Sequence, residues 1–258
     1  IHINTREFTK VPIQINGVDV NTLNIYGSAL MIGNQLLCEN ISDGEDCEAP
    51  TIGDTNNDIE QHKAKIDPSG PASNTMAKLV LEPGDKVIWA GLYWSARIKS
   101  THINHPDAKK IKMKAPGSSS YIQLNSIEDK FNWYFSSSNN FFDYVAMQEV
   151  TTQVAEAGAG EYYVGDIQAT NGENTFAAWA LMVIVENNNR KFKNISIYDG
   201  FQAVYDGNGY PNSVDVVADG FLTPKEGDVV SKLFVFSGES ESGINDGATI
   251  TDKDGNEH

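Results

Sequence analysis

Two acidic clusters have the residue types that a cation site needs. In the first, oxygen-bearing side chains recur at every second position, at Asp54, Asn56, Asp58 and Glu60. A curling loop with this spacing can turn all four side chains towards one ion, and such oxygens are the ligands that calcium prefers. The EF-hand pattern is absent, because Ile59 stands where that motif has glycine and Lys65 where it has glutamate. The pattern predicts either a calcium site or a solvated acidic loop.

The second cluster lies near the end of the chain, at Asp252, Asp254 and Asn256. It offers the same oxygen ligands as the first, with Asn245-Asp-Gly247 upstream. Asp-Gly pairs are also common in tight hairpin turns. The cluster is therefore interpreted as either a second calcium site or a turn, and calcium is the only cofactor that the sequence suggests.

The sequence carries no recognisable catalytic motif. His102 and His105 are three positions apart, so they could hold a metal only with a third ligand from elsewhere, and we expect them to be surface residues. A Gly-x-Ser-x-Gly nucleophile motif, a phosphate-binding loop and a dinucleotide-binding fingerprint are all missing. We therefore predict that the protein is not an enzyme.

An aromatic run, Trp133, Tyr134 and Phe135, lies in a stretch rich in asparagine and serine. Such rings can stack on sugars, or they can cover the edge of a hydrophobic core. The run, together with the surplus of carboxylates, supports the alternative of a carbohydrate-binding module or a glycan-active enzyme. A glycosidase would further need two carboxylates facing each other across a cleft.

The chain contains two cysteines, Cys38 and Cys47, which flank a loop with glycine and acidic residues. No third cysteine competes with them, so the spacing predicts a loop-closing disulfide, with two unrelated thiols as the alternative. A zinc site would need two further ligands, and the nearest histidine is His62. A disulfide would place the protein in an oxidising compartment.

Composition narrows the class of partner. The 258 residues include 19 Lys and Arg against 35 Asp and Glu, a formal net charge of −16. This charge disfavours nucleic acids and anionic membranes. The longest apolar run, residues 176–185, is shorter than the ~20 residues that span a bilayer, so no membrane insertion is expected.

The elements that would position these residues are mostly strands. Apolar and turn patterns predict a short helix at residues 150–158, with Thr151 as its cap, and a long acidic loop at residues 39–75. The predicted strands are residues 76–82, 86–96, 110–114, 121–124, 161–169, 176–186, 192–199, 213–218 and 229–237. This order predicts an all-β fold, an antiparallel, jelly-roll-like β-sandwich with one short helix and long acidic loops.

The chain is divided into two parts. Residues 1–26 alternate apolar and polar side chains around an Asn16-Gly17 turn, which predicts an N-terminal strand or hairpin. This segment can pair within its own sheet or be exchanged with a neighbouring subunit. Residues 27–258 are expected to form the sandwich.

Several stretches, taken in order, resemble a β-rich domain found near the N-terminus of large bacterial secreted and surface proteins, including adhesin-like and gliding-associated proteins of Bacteroidota. The matching stretches are Gly27-Ser-Ala-Leu-Met-Ile-Gly-Asn34, Leu79-Val-Leu-Glu-Pro-Gly-Asp85, Ala90-Gly-Leu-Tyr-Trp94, Ala115-Pro-Gly117, Glu149-Val-Thr-Thr-Gln-Val154, Ala178-Trp-Ala-Leu-Met-Val-Ile-Val-Glu186, Asn194-Ile-Ser-Ile-Tyr-Asp-Gly-Phe201 and Gly220-Phe-Leu-Thr-Pro224. The resemblance implies an extracellular module without catalytic residues.

From these observations we expect a non-catalytic adhesion or surface-assembly module of a bacterial surface protein or filament, located at the cell surface. Its partners would be a host or cell-surface protein or glycan, or neighbouring subunits of the same protein. The acidity and the predicted disulfide agree with this expectation.

Overall fold

A computed structural model describes residues 2–15, 17–39, 60–99, 106–136, 140–204, 212–220, 230–238, 248–251 and 255. Its strands are β1 His2–Asn4, β2 Arg6–Lys10, β3 Ile13–Ile15, β4 Val18–Val20, β5 Leu23–Gln35, β6 Leu37–Glu39, β7 Gln61–Lys63, β8 Asn74–Leu79, β9 Lys86–Lys99, β10 Lys110–Lys114, β11 Ile122–Asn125, β12 Phe131–Ser136, β13 Phe141–Glu149, β14 Gly160–Gly165, β15 Ala177–Glu186, β16 Phe192–Ile195 and β17 Tyr198–Phe201. The helices are α1 Thr151–Ala157 and two 3-10 turns, Pro106–Lys109 and Glu128–Lys130.

The strands form two main sheets that face each other. The larger sheet has seven strands in the order β1-β12-β13-β9-β15-β5-β16, and the smaller has four in the order β11-β10-β14-β8. Neighbouring strands pair antiparallel, and β9 and β15 form the centre of the larger sheet. The predicted all-β antiparallel sandwich is confirmed.

The main core lies between these sheets. The inner face of the larger sheet contributes Trp94, Trp179 and Tyr144, which pack with Ile111 and Tyr162 of the smaller sheet. The Trp179 Nε1 donates a hydrogen bond to the Thr75 hydroxyl of β8 at 2.9 Å, and the Trp94 Nε1 donates to the Ala108 carbonyl at 2.9 Å. Apolar burial and these buried hydrogen bonds together hold the two layers in register.

The N-terminal segment covers the outer face of the larger sheet. Val11 and Ile13 pack there against Trp89 and Ile184 in a second apolar cluster. The predicted hairpin is present as β3–β4, while β1 pairs with β12 and β2 pairs with β17. The N-terminal strands therefore pair within the chain, and their exchange with a neighbour stays a prediction.

The helix forms where the sequence predicts it, but its cap differs. The N-cap is Val150, which has no side-chain cap bond, and Gly158 ends the helix at φ 69°. The Thr151 hydroxyl accepts a hydrogen bond from the Ala90 amide and donates one to Glu149. The prediction of Thr151 as the cap is wrong, because its hydroxyl bonds to the Ala90 amide of β9 and not to the helix amides.

The predicted strands at 213–218 and 229–237 are also wrong within residues 212–220 and 230–238, which contain no strand. Val217 and Val230 are exposed there, while Phe236 packs against Tyr93 with ring centroids 6.3 Å apart. An apolar alternation forms a strand only where a neighbouring edge accepts its backbone hydrogen bonds. Phe236 packs on the outer face of the larger sheet, and no described strand pairs with residues 230–238.

The predicted turn at Pro83-Gly84-Asp85 is present, with Gly84 at φ 89°. Asp85 receives two bonds from Arg190, at 2.7 and 2.6 Å, and one from Asn187 at 2.9 Å. The Arg190 guanidinium is the main cause that lowers the pKa of Asp85 to about 2. The cluster joins the β8–β9 turn to the β15–β16 turn.

Replacing Asp85 with asparagine is expected to lower the free energy of unfolding by about 2 kcal/mol at neutral pH. Because the folded pKa lies below the ordinary value of 3.8, this stabilisation is present above pH ~4 and lost as the pH falls through the folded pKa. Urea unfolding of both proteins between pH 2 and 7 measures it. A stability difference that stays constant over this range would contradict the assignment.

Candidate functional site

The outer edge of β5 is the candidate site. β16 pairs only with the first residues of β5, from Leu23 to Tyr26. The Gly27 amide then donates to the Lys191 carbonyl at 3.3 Å. Beyond Gly27, the described residues pair with β5 only through β15 on its inner side, so the described part of the chain leaves this long strand of the seven-stranded sheet partly uncovered.

The pairing with β15 determines which backbone groups point outward. The Leu36 amide donates to the Ala177 carbonyl at 2.8 Å, on the same register that pairs Gln35 with Ala178. In an antiparallel ladder, alternate residues bond to the neighbour and those between them point away. Ala29, Met31 and Gly33 are therefore the outward residues of β5.

These outward groups have almost no partner in the described part of the chain. The exception is the Ala29 carbonyl, which accepts a bond from the adjacent Ser28 hydroxyl at 3.3 Å. At the far end, the Gln35 amide donates to the Asn34 side chain at 2.8 Å and so closes the run. The open run is residues 29–33, which we call the β5 edge.

Among the described residues, the backbone of the β5 edge has little of the usual protection against pairing with another chain, although the Lys193 ammonium of β16 donates to the Ser28 hydroxyl at 3.1 Å just before the edge. Charged residues, proline and bulges normally discourage such pairing. Residues 27–35, Gly-Ser-Ala-Leu-Met-Ile-Gly-Asn-Gln, contain no charged residue and no proline. Leu30 and Ile32 are only partly buried where they pack on the main core. The edge therefore presents unpaired backbone beside apolar side chains.

Glycines at both ends of the edge hold β5 close to β15. A Cβ at Gly27 would clash with the Val185 carbonyl oxygen, and one at Gly33 would clash with the Trp179 carbonyl oxygen. Both are backbone atoms that cannot move aside without disturbing the ladder. These positions therefore require glycine, which fixes the path of the edge.

β8 lies beside the far end of the edge. The Asn34 side-chain amide donates to the Met76 carbonyl at 2.9 Å. The backbone amide and carbonyl of Asn74 point away from β14 and bond to Ala64 and Ile66. Because backbone groups alternate along a strand, those of Met76 and Lys78 also point away from β14. The larger and smaller sheets are thus connected here through a side chain, without a strand ladder.

Two largely buried carboxylates of the outer face, among the described residues, each contact a basic side chain. Asp199 contacts Arg6 at 2.8 Å and Lys130 at 2.9 Å. Asp143 accepts two bonds from Arg97, at 2.7 and 2.8 Å. Burial raises the pKa of Asp143, while the Arg97 contact opposes that rise. These pairs fix the packing of the outer face.

A third acidic group, Asp67, lies in the loop before β8, beside the smaller sheet. It accepts bonds from Lys114, from the Ser69 amide and hydroxyl, and from Tyr121. The Lys114 ammonium, with the Ser69 hydroxyl, lowers the pKa of Asp67 well below its usual range. Asp67 therefore anchors a loop and offers no proton near neutral pH.

Most of the predicted metal ligands lie outside the described residues. Glu60 is described, exposed and at the start of β7. Within the described ranges, no group of three or more His, Cys, Asp or Glu residues could hold a metal ion. The residues outside them are Asp54, Asn56, Asp58, Asp252, Asp254, Asn256, His102 and His105. Both calcium sites stay predictions.

The aromatic run does not form one platform. Trp133, Tyr134 and Phe135 belong to β12, where successive side chains point to opposite faces. Phe135 is buried, and Trp133 stacks on Phe142 with centroids 5.8 Å apart. Tyr134 instead contacts Phe141 at 5.6 Å. The rings mainly complete the core, which is the second of the two interpretations that the sequence left open.

Cys38 lies on β6 and is buried, next to a pairing with His62 of β7. No described cysteine is a free thiol. Cys47 falls within residues 40–59, outside the described part of the chain. The disulfide between the two stays a prediction.

The sequence interpretation missed the β5 edge. The available signal was a nine-residue stretch without charge or proline in a chain with a net charge of −16. That signal identifies an unprotected strand, although it does not say which side of the strand is uncovered.

No helix in the described ranges is long and apolar enough to cross a membrane. Comparison of the chain with known protein families, with curated proteins and with solved structures found no match. The resemblance to bacterial surface proteins therefore stays an expectation from the sequence.

Proposed function

We propose that the chain is a non-catalytic adhesion or surface-assembly module of a bacterial cell-surface protein, and that it attaches to protein partners by adding a strand to the β5 edge. The observation that carries the proposal is an uncharged edge on the larger sheet that no described strand covers. Strand addition gives affinity through backbone hydrogen bonds and specificity through alternate side chains.

The surroundings of the edge also support the proposal. The described acidic side chains with the strongest contacts, Asp67, Asp85, Asp143 and Asp199, each pair with a basic side chain. These ion pairs stabilise the sandwich. A net charge of −16 favours a protein that stays dispersed outside the cell until it meets its partner.

The alternative, a carbohydrate-binding module or glycan-active enzyme, draws less support. Its stacking platform would need several rings on one exposed face, whereas Phe135 is buried and Tyr134 points away from Trp133. Its catalytic form would need two carboxylates separated by a substrate.

Attachment of coated beads to cells tests the proposal. Beads carrying the whole chain are applied to bacterial and host cells, either untreated, treated with trypsin or oxidised with periodate. We expect trypsin to abolish attachment and periodate to leave it unchanged. Met31→Pro should lower attachment by about tenfold, since it removes an outward amide and adds a ring at the edge.

Met31→Val is the matched control, because it keeps the outward amide and an apolar side chain. The Met31 amide takes no part in the ladder with β15, so the proline variant should fold, which its thermal unfolding checks. Attachment of the proline variant at the wild-type level, or no attachment to either cell type, would refute the proposal. Loss of attachment after periodate would favour the glycan alternative.

A further inference from the structure

We propose that two copies of the chain join their β5 edges around a two-fold axis at Met31, so that their larger sheets become one continuous sheet. This inference rests on the proposed function only in using the same edge, which one copy can offer either to a second copy or to another protein partner at one time. The occupant of the edge is a second copy of the chain. The register, the lack of charge and the length of the edge all favour this occupant.

The register is self-complementary. The outward residues Ala29, Met31 and Gly33 are evenly spaced about Met31. When two such strands meet antiparallel, Met31 faces Met31 of the partner subunit and Ala29 faces Gly33 of the partner subunit. Each of these facing pairs can exchange two backbone hydrogen bonds. All outward groups of the open run are then used.

Other registers form fewer backbone hydrogen bonds between the two copies. A shift by one residue sets outward groups of one copy against inward groups of the other, so no ladder forms. A shift by two residues leaves one outward residue of each copy without a partner. The pairing centred on Met31 therefore satisfies the most backbone groups.

The side chains suit a contact between identical strands. In this register Leu30 faces Ile32 of the partner subunit, and both residues are partly buried against the main core. Closely facing apolar pairs stabilise a ladder. Residues 27–35 carry no charge, so the contact sets no like-charged side chains of β5 against each other.

The length of the edge limits the contact on both sides. Gly27, bonded to Lys191, marks where β16 begins to cover β5. In the proposed register Gly27 faces Gln35 of the partner subunit, the last residue of β5, and the chain bends at the next residue, Leu36. Each copy's β5 therefore ends where the other copy's β16 begins.

A charge exchange at Met31 tests the proposal, because the axis places this residue opposite itself. Sedimentation velocity of the whole chain should show a dimer that strengthens with added salt, as screening reduces the repulsion. Met31→Lys and Met31→Glu should each be monomeric, since like charges face each other. An equimolar mixture of the two should restore the dimer, and Met31→Val should retain it.

Thermal unfolding shows whether the variants are folded. A wild-type chain that stays monomeric up to near-millimolar concentration, or lysine and glutamate variants that do not associate when mixed, would overturn the pairing. A monomeric wild type whose bead attachment still depends on Met31 would refute the dimer and leave the proposed function standing. If the wild-type chain is a dimer and the Met31→Pro variant attaches to cells normally, the proposed function is refuted and the dimer stands.

Discussion

Replacement of Arg97 with methionine is expected to lower the free energy of unfolding by about 3–5 kcal/mol at neutral pH. Arg97 binds both oxygens of Asp143 and also bonds to the Asn174 carbonyl at 3.3 Å. Its guanidinium lies 4.1 Å from the centre of the Phe141 ring and 5.5 Å from that of Phe176. The substitution leaves the Asp143 carboxylate buried without its cation, which costs far more than the hydrogen bonds alone.

The pH dependence of the same variant follows from the direction of the pKa shift. Burial raises the pKa of Asp143, and the contact with Arg97 opposes that rise. Because the pKa of Asp143 is higher in the folded protein, its protonation favours the folded state. This contribution to the free energy of unfolding is fully present below the ordinary pKa of an aspartate and is lost as the pH rises through the folded-state pKa. Without Arg97 the pKa rises further, so the deficit of the variant should be larger at pH 7 than at pH 4.

Urea unfolding at both pH values measures this effect. The matched control is the double variant Arg97→Met with Asp143→Leu, which removes both charges and should recover most of the lost stability. A deficit that is the same at pH 4 and pH 7, or a double variant no more stable than the single one, would show that the pair is not electrostatically coupled.

Replacement of Trp179 with alanine is expected to cost about 3–5 kcal/mol, because it opens a cavity between the two sheets. Trp179 is 1% exposed, and its indole bonds to Thr75 on the opposite sheet. Trp179→Phe keeps much of the ring volume and loses the hydrogen bond, so it should cost about 1–3 kcal/mol.

Thermal unfolding of Trp179→Ala, Trp179→Phe and Thr75→Val separates the two contributions. Thr75→Val removes the hydroxyl that accepts the indole bond and retains a similar volume. If the alanine and phenylalanine variants are equally unstable, then ring volume is not what the sheets depend on, and the expected cavity effect is wrong.

The central strands were the easiest to predict. β9 and β15 are covered on both faces, so they appear in the sequence as long apolar runs, and the predicted ranges 86–96 and 176–186 match them closely. β5, β12 and β13 were not among the predicted strands. β5 contains Gly27 and Gly33, and β12 and β13 lie among asparagines and serines that are typical of loops.

The two false strands and the missed edge have one physical cause. A local pattern shows that a segment is able to pair, but pairing needs an available neighbour. Residues 230–238 alternate as a strand does, yet they lie on a sheet face. Among the described residues the β5 edge is uncovered because β16 pairs no further along β5 than Tyr26, and sequence patterns do not reveal where a neighbouring strand stops.

The order of the strands along the chain determines how long β5 stays unpaired during synthesis. β5 is made early, while β15, its partner beyond Gly27 among the described strands, is made much later in the chain. At 5–20 residues per second this interval lasts roughly 10 to 30 s. During that time both sides of an uncharged apolar strand are unpaired, which is a hazard for aggregation. We therefore expect newly made chains to depend on a chaperone that covers residues 27–35 until β15 has emerged.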